Sequence, residues 1–290
     1  MREIKEVYAL AGEGISKALV DAGDSASSAP LSILSAQLMQ AQQAIADSIE
    51  KETIDGVHNV NGLYAAANET YIVSAIGSAN AFGVMTGEGV RSLMVAIDTR
   101  VVEALINQQW QDEYTFSSRI WRASGDFNEQ IKRLITSGVA QGRHIFDIAK
   151  DIEGYVAKGA DALGKGYKSA KYGEVVAKKV DWQALRLVRS EIASAQQTAS
   201  VEYGLANPGC AQEFNWVLTP GREHWDCKCA SLAAGSPYPA DKVPTYPHSN
   251  CMCRVEPVLR PRAEFIADLE RWAQGERVDY LDNWKKNYYS

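Results

Sequence analysis

Apolar residues recur at three- and four-residue spacing through much of the first half of the chain, the period of an amphipathic helix rather than of a strand. From Ser32 to Ile54, the residues Ile33, Leu34, Leu38, Met39, Ala41, Ile45, Ala46 and Ile49 share one face, and Pro30 stands just ahead as a start signal. Leu93, Ala96, Ile97, Val101, Ala104 and Leu105 repeat the pattern and predict a helix from about residue 89 to 109. Glycines at 56, 62, 77, 83, 87 and 89 predict breaks that divide this half into several helices. Beyond Phe116 a turn is expected at Gly125-Asp126, then helices over 128–137 and 145–155 joined through Gly138 and Gly142.

The second half begins with a long predicted helix, 181–207. Leu185, Val188, Ile192 and Ala195 hold one face and Arg186, Arg189 and Glu191 the other, with Asp181 as N-cap and Asn207-Pro208-Gly209 as the stop. The period then turns to two across Glu213–Leu218, which predicts a strand ending at Thr219-Pro220-Gly221. Prolines at 237, 239, 244 and 247 predict irregular chain, 253–258 a short closing strand, and 262–274 an amphipathic helix. The tail residues Tyr280, Trp284, Tyr288 and Tyr289 are too apolar to leave in water and should dock on this chain or on a partner. The fold class expected is mainly α with a small C-terminal α+β module: a helical N-terminal half and a β-hairpin C-terminal region stapled by zinc. Along the chain this divides into a helical domain or arm at 1–157, a basic Gly/Lys-rich linker or loop at 158–180, the α+β module at 181–260, and a C-terminal helix with the aromatic tail at 261–290.

Composition narrows the function classes. The 290 residues carry a net charge of -6, which argues against a surface that grips DNA all over. The stretch 158–179 is locally basic, and Lys165, Lys168, Lys171, Lys178 and Lys179 are the weak candidates for phosphate contact; a solvated linker is the preferred reading. No basic end followed by an apolar run opens the chain, so no secretory signal is read and a reducing cytoplasm is expected. The uncharged stretch Thr70–Gly87 contains Ser74, Ser78, Asn80 and three glycines, which suits a closely packed core helix better than a bilayer, so no membrane partner is expected.

Chemistry concentrates in one place. Cys227-Lys228-Cys229 is followed, after eighteen intervening residues, by His248-Ser249-Asn250-Cys251-Met252-Cys253. Two tight groups of thiols with one imidazole suit a tetrahedral zinc ion, and the candidate ligands are Cys227, Cys229, His248, Cys251 and Cys253. Reduced thiols packed in the module and a disulfide are the other readings. Cys210 sits apart as a small buried hydrophobe. A catalytic zinc keeps an open position and favours His and carboxylate ligands, whereas thiolates dominate here. His224 and Asp226 flank the first pair and are read as orienting groups. With no His-Glu-x-x-His, no phosphate-cradling Gly-Lys-Ser/Thr loop and no Gly-x-Ser-x-Gly elbow, an enzyme is not expected.

Taken in order, these residues resemble the phage head-morphogenesis family of Mu F-like minor head proteins. The resemblance rests on Arg186, Arg189, Ser190 and Glu191 on a helix, the strand Phe214-Asn215-Trp216, then Asp226-Cys227-x-Cys229, a proline-rich spacer, and His248 to Cys253. The family ending is typically His-Pro-Asn-Cys-Arg-Cys, where this chain has Ser249 and Met252, and the first pair is usually Cys-x-x-Cys. The match covers about 181–258, and 137–152 resembles the helical region that precedes the family domain. The resemblance implies a minor capsid protein of the virion, made in the host cytoplasm. It would act without catalysis at the portal and capsid interior, with the portal protein, the major capsid protein or scaffold, and sometimes packaged DNA as partners. The alternative is a cytosolic zinc-stapled nucleic-acid-binding protein that contacts DNA through 158–179.

Overall fold

The structure, a computed structural model, describes residues 2–21, 29–107, 114–159, 179, 181–220, 228–248 and 251–289. In chain order the described elements are α1 (Arg2–Asp21), α2 (Ala29–Ser78), α3 (Gly87–Asn107), α4 (Phe116–Ala140), α5 (Ile145–Lys158), α6 (Trp182–Leu205), β1 (Cys210–Val217), α7 (Cys229–Ala234), β2 (Tyr238–Pro239), a 3-10 turn (Ala240–Lys242), β3 (Arg254–Leu259), α8 (Arg262–Ala273) and α9 (Asp279–Tyr288). The architecture is the mainly α fold with a small C-terminal α+β module that the periodicity predicts.

The breaks expected at Gly56, Gly62 and Gly77 and the turn expected at Gly125-Asp126 are absent. α2 continues through Gly56, Gly62 and Gly77, and α4 continues through Gly125-Asp126. A single glycine costs a helix only about 1 kcal/mol relative to alanine, which packing readily offsets. Gly56 lies directly beneath the Ile192 side chain, and a methyl built on Gly125 would come 3.2 Å from Gln42 Nε2. At both positions the missing side chain admits a neighbour instead of ending the helix. The break that does occur, between α2 and α3, contains Asn80 at φ 47° and Gly83.

The chain forms two compact units, each from two separated segments: 1–53 with 109–189, and 54–108 with 190–290. This differs from the sequential division at 157, 180 and 260, because α2 and α6 are long enough to contribute residues to both units.

The first unit is a helical bundle. Ile4, Tyr8, Ile15 and Leu19 of α1 are buried with Ile45 and Ile49 of α2, Phe127, Ile131 and Leu134 of α4, and Ile148, Ile152 and Tyr155 of α5. Tyr8 meets Phe127 edge-on at 5.3 Å, and the Ser16 hydroxyl donates to the Ala149 carbonyl at 3.0 Å, fixing α1 against α4 and α5. α4 stops where Gly142 adopts φ 67°, which lets the Arg143 N–H reach back to the Gly138 carbonyl at 3.0 Å. His144 then caps α5 by accepting from the Phe146 N–H.

The second unit has a helical core and a sheet. Ile72, Ile76, Met94, Ile97, Val101, Tyr203, Phe265, Leu269, Leu281 and Trp284 belong to the helical core. The sheet is antiparallel, ordered β2-β1-β3, with Phe214 opposite Tyr238 and Trp216 opposite Val255. The register shifts between Cys210 and Phe214, where Gln212 takes φ 61°, and this bulge turns Gln212 outward while Cys210, Phe214 and Trp216 face in. α6 supports the sheet: the Ser200 hydroxyl donates to the Val255 carbonyl at 2.6 Å, and Gly204 admits the Phe214 ring.

Gly204 yields a direct test of that packing. A Cβ there would stand 2.7 Å from Phe214 Cε1 and 3.1 Å from Pro257 Cβ. Gly204→Ala is expected to destabilise the chain by about 1–3 kcal/mol in urea denaturation, because strand and helix must part to admit the methyl. A loss under about 0.5 kcal/mol, the range of ordinary surface substitutions, would show that the contact yields freely.

Candidate metal centre

Three thiols converge at one end of the sheet. Cys229 opens α7, a helix of six residues that follows the turn at Lys228. Cys251 and Cys253 lie immediately before β3, and β3 is pinned by pairing of Arg254 with Val217. The Cys251 N–H donates to the His248 carbonyl at 3.2 Å, which holds His248 beside the cysteine segment.

All three cysteines are buried, at 0%, 1% and 4% exposure, and their sulfurs lie within 4.8 Å of one another, close enough to hold one metal ion. Cys229 Sγ stands 3.6 Å from Cys251 Sγ and 3.3 Å from His248 Nε2. The donor set fits zinc. Sulfurs about 2.3 Å from a tetrahedral zinc are about 3.8 Å apart, and a sulfur and an imidazole nitrogen about 3.6 Å apart. A disulfide would require about 2.05 Å, so this pair is not one, and Cys210, Cys229, Cys251 and Cys253 are all free thiols. Burial pushes the Cys251 thiol up, which means that a proton holds that sulfur neutral unless a cation takes its place.

Phe214, Trp216 and Val255 belong to the same buried cluster as the cysteines, which shields the sulfurs from water. Cys210 joins this apolar cluster but stands outside the sulfur trio, and burial pushes its thiol up as well. Of the remaining sequence candidates, Cys227 lies outside the described residues, as do Lys165, Lys168, Lys171, Lys178, His224 and Asp226. Lys179 is described and exposed.

Tyr246 is the supporting residue that the sequence pattern did not mark. Its hydroxyl donates to the Cys251 carbonyl at 2.9 Å and is hydrogen-bonded by Ser190 of α6. Burial, with the carboxylate of Glu191 nearby acting in the same direction, pushes the phenol up and keeps it a donor. Ser190 of the motif is thereby tied to the cysteine segment. No spacing rule marks a tyrosine two positions before a candidate histidine, so only the folded chain reveals the link.

No family model, curated protein or solved structure matches the chain. Among the described residues no helix is long and apolar enough to cross a membrane.

Proposed function

We propose that the chain is a phage minor head protein, a non-enzymatic virion assembly protein acting at the portal and capsid interior, whose C-terminal module is stapled by zinc. What supports the reading is the way its motif residues associate. Ser190 on α6, the strand carrying Phe214 and Trp216, and the cluster of Cys229, His248, Cys251 and Cys253 are scattered over sixty-odd positions of sequence, yet they pack as one module.

Zinc held by Cys229, Cys251 and Cys253 would be four-coordinate and closed once His248, now beside Cys229 alone, turned in as the fourth ligand, the arrangement of a structural rather than a catalytic site. The ion would brace a proline-rich segment whose own apolar volume is small. The residues at its periphery, Tyr246 and Ser190, act as braces for the ligand-bearing segment.

Co-assembly tests the assembly role. Mixed with a portal ring and scaffold from the phage that encodes it, the chain is expected to co-sediment with the portal and to leave free duplex DNA unbound at physiological salt. Duplex binding by the isolated chain that weakens steeply with salt, with no portal association, would instead support the nucleic-acid-binding alternative.

A further inference from the structure

Helix α6 runs along the segment that carries Cys251 and Cys253, and its residues meet that segment in order. Ser190 bonds the Tyr246 hydroxyl, which donates to the Cys251 carbonyl. Further along, the Ser200 hydroxyl donates to the Val255 carbonyl at 2.6 Å, and Gly204 lies against Phe214 and Pro257. Helix positions 190, 200 and 204 thus answer segment positions 251, 255 and 257, which sets Gln197 at the level of Cys253. Val201, one turn beyond Gln197 on the same face, packs against the buried cluster that contains Cys253 and Trp216.

Gln197 is only 6% exposed, and both ends of its carboxamide are shut off from water without a hydrogen-bond partner. The indole Nε1 of Trp216, the cross-strand partner of Val255, is buried and unpaired as well. Native proteins rarely keep such groups unless something satisfies them. The three atoms are complementary, because Gln197 Nε2 and Trp216 Nε1 donate while Gln197 Oε1 accepts. An indole N–H on the carboxamide oxygen pairs two of them and leaves the amide nitrogen over. That nitrogen needs an acceptor that lies beside Gln197 and away from water.

The cysteine cluster holds such an acceptor. A thiol is a weak acceptor and a thiolate a charged, strong one, and metal ligation converts the first into the second. Three thiolates around a dication leave a net negative charge in a buried site, where N–H donors to sulfur offset the lost hydration. The sulfurs are unequally provided. Cys251 Sγ accepts from the Cys253 N–H, and Cys229 Sγ lies 3.3 Å from His248 Nε2. Cys253 Sγ accepts from the Cys251 thiol, whose proton leaves when that sulfur becomes a ligand. Among the described residues, Cys253 is therefore the ligand left short of a donor, and it stands at the level of Gln197.

We propose that Gln197 is a positioning residue of the metal centre: its Nε2–H donates to the metal-bound Cys253 thiolate, and its Oε1 accepts the Trp216 indole N–H. The inference rests on the zinc reading and deepens it, since α6 then holds the cysteine segment at a ligand sulfur as well as at the Val255 carbonyl. It is independent of the capsid role, so failure of portal co-assembly leaves it standing.

The test loads the full chain with zinc, or with NMR-active cadmium in its place, in native and Gln197→Met forms. Methionine keeps the volume of glutamine and removes both polar ends. In the native chain a cadmium–proton correlation through sulfur to the Gln197 side-chain amide is expected, and the Trp216 indole proton should move downfield on loading. In Gln197→Met the indole proton should stay where it is. Zinc affinity, read by competition with a chromophoric chelator, should fall about tenfold or more, the usual effect of removing a partner of a metal ligand. Melting of the chelated protein should be unchanged or raised in the variant, which loses only unpaired polar atoms. The inference is overturned, with the zinc reading intact, if the native chain binds metal without a correlation to Gln197 or without movement of the indole proton. It is equally overturned if Gln197→Met binds zinc within about twofold of the native chain. A buried water on the carboxamide gives that result. A fall of more than about 4 °C in the melting of chelated Gln197→Met would also overturn it, because Gln197 would then be bonded within the fold whether or not metal is bound. Failure of the native chain to bind zinc at all would overturn the zinc reading together with it.

Discussion

Removing the Cys251 sulfur is expected to strip the metal from the chain. Protein purified without added metal should carry about one equivalent of zinc, and Cys251→Ser should carry under about a tenth of that, since a closed four-ligand site loses much of its affinity with one thiolate. Structural zinc is worth roughly 10 kcal/mol or more in small modules, comparable to the whole stability of an ordinary domain. The loss will therefore register as local unfolding rather than as a small shift in melting. Hydrogen exchange should accelerate most across 228–253, which holds α7, the proline-rich segment and the ligands themselves. β1 and β3 should keep more of their protection, because Phe214 is fully buried and Ser200 holds the Val255 carbonyl independently of any metal. The helices of the first unit should exchange as before, and chelation should reproduce the pattern. Cys210→Ser serves as the control: Cys210 is buried but outside the sulfur trio, so zinc content should not change. Less than about half an equivalent of zinc in the native chain, with all thiols freely titratable, would rule the staple out.

The second large effect is expected in the helical core of the same unit. Trp284 of α9 is 3% exposed, stacks on Tyr289 at 5.6 Å and donates its indole N–H to the Ala206 carbonyl at 2.9 Å. That carbonyl lies just past the last turn of α6, where helix carbonyls lack partners within the helix. Trp284→Ala removes the largest side chain of α9 from the core and exposes or orphans that carbonyl, so a loss of about 3–5 kcal/mol is expected in urea denaturation. Trp284→Phe should cost less, since it retains the ring and forfeits the hydrogen bond. A change under about 1 kcal/mol for Trp284→Ala would mean that α9 is not held by its tryptophan.

This burial also answers the question raised by the aromatic tail. The Tyr289 hydroxyl accepts from the Thr86 N–H at 2.8 Å, and Gly89 lies directly beneath the ring. The Tyr280 hydroxyl donates to Asp268 at 3.0 Å while Arg260 covers its ring at 3.9 Å. The tail is thus docked on the chain's own second unit.

The elements easiest to read in advance are those whose period comes from one-sided burial. α6, β1, β3 and α8 fall within a few residues of 181–207, 213–218, 253–258 and 262–274, because each shows a single apolar face to a core and ends at Pro or Gly. α2 and α4 were harder. Their glycines carry the same letter as a helix breaker, and only a neighbour such as Ile192 over Gly56 shows that the position is a contact. β2 and α7 lie in the proline-rich region expected to be irregular. A two-residue strand and a six-residue helix are too short to have a period, and they form because β1 and the cysteine segment offer partners.

By itself the sequence determined the helical class, the position of the small sheet, and which residue types were available to bind a metal, since these depend on local period and on the chemistry of each side chain. Only the tertiary structure decided which thiols meet. Cys229, Cys251 and Cys253 converge with His248 beside Cys229, while Cys210 stays apart, because the bond from the Cys251 N–H to the His248 carbonyl and the pairing of β3 with β1 bring distant positions together. It alone also decided that the two compact units interleave along the chain, and that Gln197, one polar residue among many on α6, is buried with neither end of its amide hydrogen-bonded. Contacts between residues far apart in sequence leave no periodic trace, so the fold had to bring them together before their chemistry could be read.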